Sequence, residues 1–350
     1  MTITLFSLGS NGSGQLSLSH IEDVSTPQPV TSLPHNLTSP ISISCGGNHT
    51  ILISSSNTLS FITGSLPPSP APTTSFVPLS LPSPFTPTSS SCAWTTTHLA
   101  APQALFSFGH GPKGELGLGP SMLSTGVPTQ LPNFPPPHTN IISLSSSMSH
   151  TVVLLSTGQV YAFGAGRKGQ IGLPAVPAVY EPRLINEVPF RVEKTLCGKE
   201  FTCLLGGPAT GDILILGSDK FGIKSQAPSN VKGWKDAGAG WGSIFILFED
   251  GSMKSWGRDD HGQMVPEELG KVKTMAVGSE HVVAVLEETG NVVAWGWGEH
   301  GNCGPEGLGE KGDGKSFGVH NIYEVQEFEE VVMVGAGCAT SWIAIERKGG

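Results

Sequence analysis

Short apolar runs separated by turns fill this chain, and one such run recurs with a fixed ending. Each copy ends in a large apolar residue and a glycine, and a second glycine follows five residues later, as in "VVAWGWGEHG" from Val292. Short apolar runs that end at glycine predict β-strands rather than helices. The glycine pairs are Gly9/Gly14, Gly109/Gly114, Gly164/Gly169, Gly217/Gly222, Gly257/Gly262 and Gly296/Gly301.

A second pattern lies between the copies of the first. It joins a small Gly/Ser-rich strand to a β-branched strand, as in "ISISCGGNHTILIS" and "KTMAVGSEHVVAVLEETG". Several copies then end in "STG", "EDG" or "ETG", which are typical hairpin turns. One copy of each pattern together predicts a unit of about four strands.

The spacing of the glycine pairs gives the number of units. First glycines follow one another after 100, 55, 53, 40 and 39 residues, so the interval of 100 predicts a hidden copy. That copy is "SNTLSFITG" ending at Gly64, whose second glycine is replaced by Ser69, and "SSCAWTTTHLAA" supplies its second half. Seven units of about 40–55 residues predict an all-β, seven-bladed β-propeller. Ile3 to Leu8 should complete the last blade and so close the ring.

Composition is consistent with one propeller domain over residues 1–350, with 46 glycines, 28 prolines and 13% charged residues. Two segments should depart from the blades. Residues 54–103 contain a Ser/Thr/Pro-rich surface insertion, and eight prolines between Ser65 and Thr88 predict a long disordered loop there. Residues 304–316, "GPEGLGEKGDGKS", should form a flexible Gly-rich loop.

Charge and hydropathy exclude several classes of partner. The net charge is −9 and no Lys/Arg cluster exceeds a dipeptide, so we expect no direct nucleic-acid binding. The longest apolar run, "IFILF" from Ile244, is too short to span a membrane, and the first residues lack a signal-peptide pattern. We therefore expect a cytoplasmic protein, also found in the nucleus, that avoids membranes. The acidic balance favours a partner of some basic character.

Catalytic and metal-binding signatures are missing from the sequence. Six cysteines form no C-x-x-C pair and have no zinc-ligand spacing, so we expect free, mostly buried thiols. Glu280-His281 and Glu299-His300 could pair acid with base or ligate a metal, but no third ligand can be named. No nucleophile motif or phosphate-binding loop is present. We expect neither an enzyme nor a cofactor or metal site.

Candidate partner-binding residues are those that the repeat does not explain. Trp297, Glu299, His300 and Asn302 lie between or beside the repeat glycines, where other copies read "SNGS", "HGPK" or "RDDH". A tryptophan on a propeller loop is a candidate interface anchor, although it could instead pack against a neighbouring loop.

Three further candidates belong to the second pattern. Trp241 replaces its histidine and Trp342 lies a few residues beyond that position, so each either faces a partner or packs in the core. His281 shares its position with His49 and His150, which also suits a structural histidine. The complete candidate set is Trp241, His281, Trp297, Glu299, His300, Asn302 and Trp342.

The "W/F-G-x-x-x-x-G-Q/E-L" and "G-G-x-H-T" elements resemble the regulator-of-chromosome-condensation repeat, whose family forms seven-bladed propellers. "WGWGEHGNCGP" and "GCATSW" resemble, more narrowly, the fungal branch that serves Elongator and diphthamide synthesis. That resemblance implies a scaffold that forms a heterodimer with a small CSL-type zinc protein of diphthamide synthesis. Through this partner it would act on Elongator indirectly and support modification of the tRNA wobble uridine.

Two other functions remain open at this point. The founding member of the repeat family implies a guanine nucleotide exchange factor for a Ran-like GTPase. An enzyme with a site in the propeller channel would need a catalytic set that the sequence does not supply. The proline-rich segment departs from the family pattern.

Overall fold

The computed structural model describes residues 3–33, 41–54, 59–69, 71–305 and 318–347. Within them, strands β1 to β26 form seven antiparallel sheets, which confirms the predicted all-β, seven-bladed propeller. No helix in these ranges is long and apolar enough to cross a membrane.

The first three blades have four strands each, with neighbours in chain order. Blade 1 contains β3 (Ile41–Cys45), β4 (His49–Ser54), β5 (Leu59–Gly64) and β6 (Thr73–Pro78). Blade 2 contains β7 (Ser89–Cys92), β8 (Thr96–Ala101), β9 (Ala104–His110) and β10 (Ser124–Gln130). Blade 3 contains β11 (Ile141–Ser147), β12 (His150–Leu155), β13 (Val160–Gly166) and β14 (Val176–Leu184).

The next three blades differ in strand number. Blade 4 contains β15 (Lys194–Cys197), β16 (Phe201–Leu205) and β17 (Ile213–Gly217). Blade 5 contains β18 (Trp234–Ala239), β19 (Ser243–Phe248) and β20 (Met253–Gly257). Blade 6 contains β21 (Val272–Val277), β22 (His281–Leu286), β23 (Val292–Gly296) and β24 (His320–Tyr323).

A short 3-10 helix, Lys220–Gly222, follows blade 4 where a fourth strand was expected. The carboxylate of Asp219 accepts hydrogen bonds from the backbone nitrogens of Lys224 and Ser225, at 2.7 and 3.0 Å. This Asp-centred turn follows β17 in place of a fourth strand.

Blade 7 joins the two ends of the described chain. Its strand order is β2 (Val24–Pro29), β1 (Ile3–Gly9), β26 (Thr340–Arg347) and β25 (Glu329–Ala336). β1 pairs with β26 from Ile3 opposite Glu346 to Gly9 opposite Thr340 without a register shift. This pairing confirms the predicted closure of the ring by the N-terminal strand.

The innermost strand of each blade contacts those of its two neighbours around the ring. These strands surround a central cavity of about 210 Å³, lined in part by small residues and cysteines such as Ser44, Gly337 and Cys92. The second strands carry the core: β12 is buried at every position, and Trp342 on β26 is fully buried. Core side chains thus fill the space between adjacent blades, as in any close-packed interior.

The backbone conformation explains why the first residue of each glycine pair is glycine. Gly109, at the end of β9, has φ +118°, and a Cβ there would lie 2.2 Å from the carbonyl oxygen of Thr95. Gly64, in the copy with the degenerate turn, has φ +90°, and its Cβ would lie 2.3 Å from the carbonyl oxygen of Asn48. A side chain at either position would be both strained and sterically blocked.

The expectation of a long disordered loop between Ser65 and Thr88 is wrong at Thr73–Pro78. Residues Thr73–Pro78 form β6, the outer strand of blade 1, in which Pro78 pairs with Phe61. Phe76 is 5% exposed and packs against Phe61 and Trp342. An outer strand has one free edge, so it tolerates flanking prolines that a central strand could not.

The remainder of the two expected insertions is only partly described. Residues 55–58 and residue 70, within the Ser/Thr/Pro-rich insertion, lie outside the described ranges. The Gly-rich loop predicted at 304–316 lies outside them from residue 306 onward.

Candidate functional site

One face of the propeller is built from two kinds of loop in every blade. The residue after the first glycine of each repeat donates its backbone N–H to a carbonyl oxygen in the turn between the first and second strands, as Arg258 does to Gly242 and Trp297 does to Glu280. The same bond joins Ser65 to Asn48 and His110 to Thr95. We call this surface the loop face. After each four-stranded blade, the connection to the next blade lies on the opposite face, because the strands alternate in direction. Blades 4 and 5 have three strands, so the chain that follows their third strand begins on the loop face.

The histidines of the second pattern connect neighbouring blades. Nε2 of His281 hydrogen-bonds with Oγ of Ser341 at 2.9 Å, and Nε2 of His49 does so with Oγ1 of Thr97 at 2.8 Å. His150 pairs with Thr202 in the same way at 3.0 Å. We call these three contacts the interblade histidine bonds.

The proton positions in one of these bonds follow from its geometry. The hydroxyl of Ser341 donates to the carbonyl oxygen of Asn302 at 2.7 Å, so it accepts from His281, whose Nε2 carries the proton. His281 is 2% exposed, and burial lowers its pKa to about 4. This buried position supports the structural role considered for His281.

Two other residues of the candidate set, Trp342 and Asn302, are also buried. Trp342 is fully buried because it lies on the second strand of blade 7, whose side chains fill the interblade core beside Phe76. Asn302 is fully buried, and its Nδ2 donates to the carbonyl oxygen of Trp297 at 3.0 Å. Asn302 thus supports the loop that carries Trp297 rather than facing a partner.

Trp297 lies on the loop face and is half-buried. Its ring stacks on that of His261, with centroids 4.0 Å apart and planes inclined by 11°. The guanidinium carbon of Arg258 lies 5.5 Å from the Trp297 centroid and 5.5 Å from that of Phe221. Trp297 therefore packs against a neighbouring loop, which was one of its two predicted roles, and its side chain stays partly exposed.

Arg258 is held by two carboxylates from different loops. Its Nε and Nη2 donate to Asp260 at 2.6 and 2.9 Å, and its Nη1 donates to Glu280 at 2.6 Å. Glu280 is 7% exposed; burial raises its pKa and the Arg258 guanidinium opposes that rise. Hydrogen bonding to Arg258 holds the pKa of Asp260 below its usual range. The guanidinium is thereby fixed between two aromatic rings.

Trp241 lies at the mouth of the central cavity. Its ring centroid is 5.8 Å from that of Trp94, which is 37% exposed, and the ammonium of Lys199 lies 5.2 Å from the Trp241 ring. Its backbone N–H donates to Ser279 at 2.7 Å and its carbonyl accepts from Lys199 at 3.0 Å. Backbone bonds to blades 4 and 6 therefore fix this tryptophan.

A cleft of about 360 Å³ opens beside Trp241, between the loops of blades 4, 5 and 6. Phe221, which is 39% exposed and has φ +63°, forms part of its wall. Charged groups from Lys199, Arg258 and Glu280 line the same cleft. We call Trp94, Trp241, Phe221 and Trp297 the aromatic arc.

Glu299 and His300 lie on the loop face but nearer blade 7. Both are exposed, and Nδ1 of His300 hydrogen-bonds with the Asp23 carboxylate at 2.9 Å. The other oxygen of Asp23 accepts from the backbone nitrogen of Asn11 at 2.7 Å. The structure thus brings Trp241 and Trp297 to one surface through Arg258, while Glu299 and His300 lie at its margin.

Several residues of this surface were not singled out from the sequence. Arg258 and Phe221 occupy the variable positions between the repeat glycines, in "RDDH" and "SDKF", where Trp297 also occurs. Trp94 occupies the second-pattern turn of its blade, as Trp241 does. The criterion that selected Trp297 and Trp241, an unusual residue at a variable or turn position of the repeat, would therefore also have selected Arg258, Phe221 and Trp94.

The described residues contain no group of three or more His, Cys, Asp or Glu side chains placed to hold a metal ion. All six cysteines are free, and four of them are buried. Burial raises the pKa of Cys338 to about 11 and that of Cys197 to about 12, so these thiols are poor nucleophiles.

Comparisons with known proteins agree with the repeat and the fold. The sequence profile of the regulator of chromosome condensation (RCC1) repeat matches residues 4–53 and 157–205, and a second profile of this repeat matches residues 141–170. An RCC1 repeat-containing protein of Schizosaccharomyces pombe is 29% identical over 98% of this chain and 99% of its own length. Human protein RCC2 is 30% identical over 38% of this chain and 25% of its own length.

Solved structures show the same architecture at low sequence identity. Prp20p from Saccharomyces cerevisiae superposes with a TM-score of 0.82 at 19% identity, covering 100% of this chain and 92% of that one. Human WBSCR16 superposes with a TM-score of 0.79 at 16% identity, covering 99% of this chain and 100% of that one. The chain is thus a seven-bladed β-propeller, and parts of it match the RCC1 repeat.

Proposed function

We propose that this chain is a non-catalytic scaffold that binds a protein partner through the aromatic arc on its loop face. The observation that carries the proposal is the partly exposed aromatic arc, which backbone bonds and the Arg258 ion pairs hold in place. Aromatic and arginine side chains dominate the energetics of protein interfaces. Groups that are already ordered lose little conformational entropy when a partner binds.

The partner that we propose is the small CSL-type zinc protein of diphthamide synthesis, bound as a heterodimer. Support comes from the resemblance of "WGWGEHGNCGP", which contains Trp297, to the branch that serves Elongator and diphthamide synthesis. In this role the chain supports Elongator-dependent modification of the tRNA wobble uridine indirectly, through its partner. The role fits a cytoplasmic protein that also enters the nucleus.

Calorimetric titration of the purified chain with the zinc protein tests this proposal. We expect one-to-one binding, and we expect Trp241→Ala and Trp297→Ala each to weaken it by roughly 30-fold, the effect of losing one interface hot spot. Phe328→Ala is the matched control, because Phe328 is 57% exposed but lies on a connection between blades, on the opposite face. That substitution should leave the affinity unchanged.

A guanine nucleotide exchange factor is the second candidate function. The Prp20p structure was described together with the binding of that protein to Gsp1p and histones. For this chain, the test is whether it accelerates nucleotide release from a Ran-like GTPase. Faster release together with no detectable binding of the zinc protein would replace the scaffold proposal with this one.

A further inference from the structure

The loops of blades 3 and 4 make one sector of the loop face basic, although the chain as a whole carries a net charge of −9. Two acidic side chains, Glu200 and Asp219, belong to the same loops. We call the set of basic side chains there the basic sector. Its members, all exposed, are Arg167, Lys168, Lys199, Lys220 and Lys224.

These cations are not neutralised within the described part of the chain. Arg167, Lys168, Lys199 and Lys220 form no ion pair there, whereas basic groups outside the sector often do, such as Lys194 with Asp236 at 2.7 Å. Asp219 is already engaged, since its carboxylate accepts the two backbone N–H groups of its own turn. The sector therefore offers positive charge to a ligand.

Aromatic rings hold two of these ammonium groups beside the cleft. The ammonium of Lys199 lies 5.2 Å from the Trp241 ring, and that of Lys220 lies 4.9 Å from the Phe221 ring. Both lysines line the 360 Å³ cleft together with these rings. A ligand that enters the cleft would meet an apolar wall and two unpaired cations at the same time.

We propose that the basic sector and its cleft bind an acidic peptide segment of the partner protein. An apolar side chain of that segment enters the cleft between Trp241 and Phe221, and flanking carboxylates pair with Lys199 and Lys220. This inference rests on the proposed scaffold function, because the segment belongs to the partner. The overall acidity of the chain favoured a basic partner, but the local charge at the arc favours an acidic one.

Carboxylates fit this cleft better than the phosphates of a nucleic acid. Glu200 and Glu280 also line it, and they would repel a dense row of phosphates more strongly than a few carboxylates. Glu280 is bound to Arg258, which leaves the two lysines as the cations open to a ligand. A short segment with few charges and an apolar anchor matches this arrangement.

Fluorescence anisotropy with a labelled peptide tests the inference on the full chain. The probe has one phenylalanine flanked by glutamates, and its control peptide has glutamines in their place. The double variant Lys199→Glu/Lys220→Glu reverses the charge at the two unpaired cations of the cleft. Lys232→Glu/Lys254→Glu makes the same change of charge at exposed lysines outside the sector, neither of which forms an ion pair in the described residues.

We expect the glutamate peptide to bind the unaltered chain and the Lys199→Glu/Lys220→Glu variant to bind at least about tenfold more weakly. The control variant should change the affinity by less than about twofold, and added salt should weaken binding. Equal binding of the glutamine peptide, equal binding by both variants, or tighter binding of a single-stranded RNA of the same length would each overturn the inference.

Titration of the zinc protein against the same two variants separates this inference from the proposed function. Weaker binding to Lys199→Glu/Lys220→Glu alone would place the partner's acidic segment in the cleft. Unchanged binding to both variants would refute the inference and leave the scaffold function standing. Peptide binding without any binding of the zinc protein would refute the proposed partner and leave the inference standing.

Discussion

Mild acid should destabilise this propeller strongly, because four of its histidines are buried in the neutral form. Burial lowers the pKa of His49 and His98 to about 3 and that of His150 and His281 to about 4, from an ordinary value of 6.5. Between these values and 6.5 the unfolded chain binds protons that the folded chain does not. The stability contributed by these groups is therefore complete above pH 6.5 and is lost as the pH falls below it.

The magnitude follows from the number of protons. Near pH 5 each of the four histidines is mostly protonated in the unfolded chain and mostly neutral in the folded one, and each proton changes the free energy of unfolding by about 1.4 kcal/mol per pH unit. Together they predict a fall of about 5 kcal/mol per pH unit. A domain whose stability is about 5–15 kcal/mol would unfold within a few pH units.

Urea unfolding followed by tryptophan fluorescence, in steps from about pH 7.5 to 5, measures this slope. His281→Gln is the informative variant, since glutamine can still donate to Ser341 but does not titrate in this range. Whatever its effect at neutral pH, this variant should lose about one quarter of the slope. A free energy of unfolding that stays flat down to pH 5, or the same slope in His281→Gln, would refute the reasoning.

Two further predictions concern the blade contacts. Ser341→Ala removes the hydroxyl that links His281 to the Asn302 carbonyl and leaves two buried groups unpaired, so urea titration should show a loss of about 2–4 kcal/mol at neutral pH. A loss too small to measure would show that water replaces the hydroxyl. Gly109→Ala should lower the free energy of unfolding by at least about 3 kcal/mol, whereas Gly12→Ala, whose Cβ would have no heavy atom within 4 Å, should change it by less than about 1 kcal/mol. Similar thermal midpoints for the two glycine variants would contradict the steric account.

Most of the fold could be predicted from the repeat, because its glycines occupy positions that the backbone geometry restricts to glycine. Each first glycine lies at or near the end of a third strand, where a Cβ would meet the backbone of the adjacent turn, as at Gly64 and Gly109. Spacing between such positions therefore counts blades even where one turn is degenerate. By contrast, β6 was missed because its prolines suggested a loop, and nothing in its composition showed that Phe76 would be anchored against Trp342.

The candidate site was harder to predict, since exposure depends on which neighbour packs against a residue. Trp297 and Trp342 look alike in sequence, yet the first lies on a loop and the second on a buried second strand. Ion pairs with Asp260 and with Glu280 of the next blade fix the position of Arg258. The pair with Glu280 forms only when the two blades are folded side by side. Patterns along the chain identify unusual loop residues but not the contacts between blades that fix them.

The way in which the ring closes has a consequence for the order of events during synthesis. β1 leaves the ribosome long before its central partner β26, because the strands of six other blades lie between them in the sequence. Until β26 emerges, β1 lacks this partner and exposes one edge, while six blades can already pair their own strands. The same closure sets Ile3 beside Glu346. A short linker there, with new ends opened in a connection between two blades, should give a circular permutant whose seventh blade is made in one piece.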